Sequence, residues 1–143
     1  MPAVNTIIIS DGAATPVAHT FSPQGQDAKG VWWFEQTTPS PANPLGAKRI
    51  SVSLRRSLTN GPSLNTKAKV VIGLWVPTLE TVGNTSGGFP PPPTLSYSQD
   101  VRIEFTLPER GTEQERKDTR TLCRNLMGDV QIVNCVEKLL AMY

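Results

Sequence analysis

The sequence has little with which to do chemistry. It holds one histidine, His19, and two cysteines, Cys123 and Cys135, among 143 residues. Two cysteines are too few for a disulfide framework and lack the spacing of a metal site. Each sits in an apolar helical pattern, so both read as free, buried thiols of a reducing compartment. His19 has no nucleophile or carboxylate at a recognisable spacing and reads as a strand residue, not a general base. There is no glycine-rich phosphate loop and no pair of catalytic carboxylates. No enzyme, cofactor or small-molecule substrate is therefore expected. A run of about 18 apolar residues, the minimum for a spanning helix, is missing, so no membrane partner is expected. Met1–Asn5 lacks the basic-then-apolar pattern of a secretory signal.

Charge is also scarce. Charged residues make up 18%, and 14 Lys and Arg against 12 Asp and Glu leave a net charge of +2. That excess does not announce a nucleic-acid binder, so any basic function must come from where the cations sit. Proline and glycine are plentiful instead, 13 and 11 residues, which with low charge points to short strands joined by turns. Apolar runs such as Val70-Val71-Ile72 and Leu139-Leu140 argue against disorder. The length suits a single domain over 1–143.

Hydrophobic periodicity marks six strands and two helices. Thr6 to Ile9 and Pro16 to Phe21 flank Asp11-Gly12, a hairpin signal. Gly30 to Glu35 is aromatic and β-branched, as strands prefer. Its two tryptophans, Trp32 and Trp33, fall on opposite faces, one for the core and the other for a hairpin or inter-subunit contact. Prolines 39, 41 and 44 make Thr37 to Gly46 a loop. From Lys48 to Arg56, Ile50, Val52 and Leu54 alternate with Arg49, Ser51, Ser53 and Arg55. A turn at Asn60-Gly61-Pro62 leads to Lys67–Val76, where Val70, Ile72, Leu74 and Val76 alternate with Lys69, Val71, Gly73 and Trp75. A long loop from Pro77 to Pro93 precedes the last strand, Tyr97 to Leu107, whose Asp100, Arg102 and Glu104 oppose Val101, Ile103 and Phe105. The four prolines closing that loop read as a stiff end, not a polyproline ligand.

After Pro108 the period lengthens to about 3.6. Thr112 and Glu115 form a capping box, and Thr119, Leu122, Cys123, Leu126 and Met127 an apolar stripe. Arg116, Lys117, Arg120 and Arg124 read as a solvated face or as dimer contacts. Gly128 suits a left-handed cap, and Asp129 can cap a second helix that runs to about Met142. Strands first and helices last describe an α+β chain with an antiparallel sheet.

An antiparallel sheet can bury one face and leave the other wet. If the helices cover the aliphatic face, the other carries Arg49, Ser51, Ser53, Arg55, Lys67, Lys69, Trp75 and Arg102. Cations neutralise phosphates, hydroxyls reach phosphates or base edges, and an indole offers a stacking surface. An ordinary solvated sheet face has similar residues, and Asp100 and Glu104 sit among the cations. Two readings of this surface follow: a single-stranded RNA-binding module, and an ordinary solvated sheet face.

Several segments together resemble the coat proteins of single-stranded RNA phages, the levivirus type. They are D-G-A-A-T-P-V-A-H-T-F from Asp11, S-V-S-L-R-R from Ser51, V-P-T-L-E-T from Val76, F-T-L-P-E-R from Phe105 and T-E-Q-E-R-K-D from Thr112. Their order and spacing span nearly the whole chain. The resemblance implies an N-terminal β-hairpin region (1–24), a five-stranded antiparallel sheet (29–107, with the loop 77–93) and two dimerising helices (112–142). It implies an intertwined homodimer with a ten-stranded sheet, closing into an icosahedral shell around single-stranded genomic RNA. The sheet would face inward, and the 77–93 loops would meet at the symmetry axes. It also implies binding to an RNA stem-loop that represses replicase translation. Ser51, Ser53, Arg55, Lys67 and Lys69 fall on matching strands in matching orientation. Asp100 stands where the best-known members place a stacking Tyr, and Gly73 where they place a Lys, so either stacking passes to Trp75 or Tyr97 or the RNA hairpin preferred is a different one.

Overall fold

A computed structural model describes residues 3–56, 66–80, 83 and 91–141. The chain divides into two compact units, Met1–Arg56 with Ala68–Thr106, and Ser57–Lys67 with Leu107–Tyr143.

The first unit is built on one sheet. Its strands are β1 (Ile7–Ser10), β2 (Ala18–Gln26), β3 (Val31–Thr38), β4 (Arg49–Arg55), β5 (Lys67–Leu79) and β6 (Leu95–Pro108), ordered in space as in sequence. The pairings from β1 to β5 are antiparallel. A hairpin plus five further strands is not what forms: the sheet has six strands in all, hairpin included. The reason lies in β2, which runs for nine residues and pairs with β1 and β3 at once. Register shifts at Thr20/Phe21 and Pro23/Gly25 bend it, and Gly25 takes φ 129°, a conformation that side chains rarely adopt.

Turn chemistry sets the strand ends. Asp11 does not form a two-residue turn; it closes a longer loop, its Oδ1 accepting from the N–H of Ala13 and of Val17 at 3.2 and 2.9 Å. Between β2 and β3, Asp27 Oδ1 accepts from Lys29 and Val31 N–H, and Gly30 adopts φ 79°. β3 extends into the expected loop because Thr37 and Thr38 are β-branched and Thr38 still pairs with Thr20. β5 likewise runs through Pro77 to Leu79. Proline is tolerated there because the pairing with β4 ends at Arg49 and Trp75, so no partner on that side needs its missing N–H. The following loop is closed by Glu80 N–H donating to Thr94 O at 2.9 Å. Most of that loop (81–82 and 84–90), like the Asn60-Gly61-Pro62 turn, lies outside the described residues.

Strand alternation sorts the faces as expected. Phe21, Phe34 and Ile50 form the buried core, with Ile7, Trp32, Val52 and Leu74 packed against it. This core is small for a chain of this length.

The second unit carries α1 (Glu113–Leu126) and α2 (Val130–Glu137). The capping box forms in full: Glu115 N–H donates to Thr112 Oγ1 at 3.2 Å, and Thr112 N–H to Glu115 Oε2 at 2.7 Å. Asp129 caps α2 through Gln131 N–H at 2.9 Å. Gly128 is not left-handed. The chain turns from α1 into α2 through i→i+3 bonds, Gly128 N–H to Asn125 O and Asp129 N–H to Leu126 O, which leave no need for a left-handed residue. The left-handed position is Leu139, at φ 54°, where Leu140 N–H returns to Asn134 O and ends α2 earlier than expected. No residue of either helix is buried, and Cys123 and Cys135 are free and only half-buried. The expected burial of these thiols fails, since their apolar neighbours Leu122, Leu126, Val130 and Val136 are each more than half exposed.

Candidate nucleic-acid interface

Cross-strand register assembles the polar face. Across β3, β4 and β5 it sets Val31, Ser53 and Val71 in one row, Trp33, Ser51 and Gly73 in the next, and Glu35, Arg49 and Trp75 in a third. Arg55 pairs with Lys69 one step further. Of the sequence-derived candidates, Arg49, Ser51, Ser53, Arg55, Lys69, Trp75 and Arg102 line two adjoining depressions of this face. Lys67, the first residue of β5, belongs to the second unit and shares the alternation of Lys69.

The first depression, of about 400 Å³, is lined by Trp33, Arg49, Ser51, Gly73, Leu74, Trp75, Asp100 and Val101. The second collects Ser53, Arg55, Lys69 and Arg102 beside Val31 and Val71. Gly73 lies at the junction. A Cβ there would come within 2.6 Å of Ser51 Oγ, so the missing side chain leaves the Ser51 hydroxyl its place.

The cations are partly engaged. Arg49 Nε donates to Glu35 Oε2 at 3.1 Å, and its guanidinium lies 5.6 Å from the Trp75 ring centroid. Glu104 takes both Lys69 Nζ at 2.7 Å and an Arg102 Nη at 3.2 Å. The Lys69 hydrogen bond, followed by the charges of Lys69 and Arg102, holds the Glu104 carboxyl below its ordinary range. Arg55 makes no ion pair among the described residues. Exposed pairs of this kind contribute little, so a phosphate can displace the carboxylate.

Sequence reasoning left out Trp33. The alternation of Val31 to Glu35 puts it opposite Phe34, but only the β3–β4 register brings it beside Ser51. Its Nε1 donates to Asp27 Oδ2 in the β2–β3 turn at 3.3 Å, and 41% of the residue is exposed. Tyr97 is exposed and lines neither depression.

Away from this face, His19 is buried on β2, its Nε2 3.1 Å from Asp11 Oδ2 and 3.4 Å from Lys48 Nζ. Together with the loop N–H groups this arrangement ties the β1–β2 loop down and is structural. The Asp11 carboxyl is lowered to about 2, chiefly by the Val17 N–H and then by His19. Among the described residues no group of side chains has metal-binding geometry, and no helix is long and apolar enough to cross a membrane.

The levivirus coat protein family model matches residues 2–143. No curated protein sequence matches the chain. Among solved structures, it is similar to the virus-like particle of bacteriophage ESE058, at 36% identity and a TM-score of 0.87 over 99% of this chain and 100% of that one. It is also similar to the virus-like particle of bacteriophage NT-214, at 26% identity and a TM-score of 0.82 over 99% and 100% of the two chains. The bacteriophage GA protein capsid, at 19% identity and a TM-score of 0.70 over 96% of each chain, shares the fold. The chain belongs to the levivirus coat protein family, which is structural and not enzymatic.

Proposed function

We propose that this protein dimerises, assembles into an icosahedral shell and packages single-stranded RNA against the polar face of its sheet. One observation carries the RNA reading. Four cations, two serines and a tryptophan (Arg49, Arg55, Lys69, Arg102, Ser51, Ser53 and Trp75) share one face, opposite the buried Phe21–Phe34–Ile50 core. We include Lys67 with them on its alternation. Assembly is supported by the relatives solved as virus-like particles.

Dimerisation is supported by two uncovered surfaces. Leu122, Leu126, Val130 and Val136 are each more than half exposed, and a helix of this length rarely persists unless its apolar stripe is packed. β6 ends the sheet, and its outer edge has no strand partner among the described residues. A long open edge invites pairing with another chain. A second copy that laid its helices over the sheet and paired along β6 would cover both. Such a dimer would have no stable folded monomer. Stem-loop binding that represses replicase translation belongs to the same face in this reading.

The test is to express the chain alone and examine it by sedimentation and electron microscopy. Large closed particles that contain nucleic acid are expected. A small species that never assembles when RNA is added would refute the proposal.

A further inference from the structure

We infer that the depression between Trp33, Trp75 and Asp100 is a slot for one unpaired guanine base. This rests on the polar face being the RNA surface and names what one part of it reads.

The walls of the slot are aromatic. Trp33 is half exposed, and its Nε1 bond to Asp27 fixes the ring. Trp75 stands on the other side, and the Arg49 guanidinium, 5.6 Å from its ring centroid, lines the same depression. Trp33 pairs with Ser51 and Ser51 with Gly73, so the two indoles stand two strands apart and two residues out of line. With strands about 4.8 Å apart and about 3.4 Å per residue, their Cα atoms lie roughly 12 Å apart, which leaves room for a flat ring between them. The floor is Gly73 with the Ser51 hydroxyl, which lies where a side chain at Gly73 would begin. A volume of about 400 Å³ is at the small end for a ligand site.

The polar group in the slot selects the base. Asp100 lines the depression, is exposed, and has no hydrogen-bond or ion-pair partner among the described residues. A carboxylate only accepts, so it needs a base edge that donates. Guanine presents two adjacent donors, N1–H and the N2 amino group, which fit the two carboxylate oxygens as a charge-assisted pair. Adenine and cytosine each offer one amino group beside a ring nitrogen acceptor, which the carboxylate repels. Uracil has one N–H between two carbonyls. The donors of guanine lie on its Watson–Crick edge, so the base must be unpaired, as in a loop, bulge or single strand.

The experiment uses the purified full-length protein and labelled ten-nucleotide RNAs, followed by fluorescence anisotropy. One RNA is all uridine; the others carry a single central guanosine, adenosine or inosine, which lacks the N2 amino group. The guanosine RNA is expected to bind about tenfold more tightly than the other three, within the discrimination of a good bidentate contact. Asp100→Asn is expected to remove that preference while the all-uridine RNA binds at least as well, since a negative charge has gone. Asp100→Glu, which keeps the carboxylate, retains part of it. Equal binding of all four RNAs, or a preference that survives Asp100→Asn, overturns the guanine slot and leaves the RNA face standing. If no RNA binds, the RNA face itself falls and the slot with it.

Discussion

Glu104 is the brake on the proposed RNA face, and Glu104→Gln releases it. Its carboxylate holds Lys69 at 2.7 Å and Arg102 at 3.2 Å, so one negative charge masks part of two cations. The substitution keeps the shape of the side chain and adds one net positive charge to the face. For single-stranded nucleic acid, each phosphate neutralised steepens the dependence of log K on log salt by about 0.7. One added charge then raises affinity about fivefold at 0.1 M salt and leaves it unchanged near 1 M. Filter binding of a mixed-sequence RNA across that salt range reads both the slope and the crossing point. Arg55→Ala, which removes a cation with no ion-pair partner among the described residues, should flatten the slope by a similar amount. Lys69→Ala should flatten it less, because that charge is already partly spent on Glu104. If Glu104→Gln has the affinity and slope of the wild type, the Lys69–Glu104–Arg102 cluster does not meet phosphate and the proposed face is wrong. The carboxyl is held below its ordinary range by Lys69, so mild acid does not imitate the substitution.

Two further outcomes follow from local geometry. Gly73→Ala should be destabilising alone but tolerated with Ser51→Ala, because the new Cβ meets Ser51 Oγ at 2.6 Å but Ser51 Cβ only at 3.9 Å. Urea unfolding at fixed protein concentration should give a coupling of about 1 kcal/mol between the two sites, and additive effects would contradict the close approach. For Asp11, the folded carboxyl titrates at about 2 against an ordinary 3.8, so its contribution is present above pH 4 and lost as pH falls towards 2. The difference in urea midpoint between wild type and Asp11→Asn should therefore shrink over that window; a constant difference would mean that the Asp11 charge does not stabilise the β1–β2 loop.

Elements with a strong local code were legible in the chain. Lys48 to Arg56 alternates so cleanly that both faces of β4 follow from the residues alone, and Thr112 with Glu115 announces the start of α1. Legibility failed where a distant partner decides the outcome. Pro77 looks like the end of a strand, yet β5 passes through it because β4 has already ended. Gly128 looks like a left-handed cap, yet the turn into α2 needs none, and Leu139 takes the left-handed position instead. For the candidate site, the cations and serines on β4 and β5 were readable by alternation, whereas Trp33 was not.

By itself the sequence determined an α+β chain, the sorting of each strand into an aliphatic and a polar side, and the scarcity of catalytic groups. These are consequences of composition and of a period of two, which a strand carries wherever it is placed. Only the tertiary structure decided which polar sides become neighbours. Register sets Trp33 beside Ser51, Ser51 beside Gly73 and Arg49 beside Trp75, and strand pairing brings Lys69 to Glu104. A shift of a single residue in any pairing would turn those side chains to the opposite face, so the site exists in the pairing and not in any one strand.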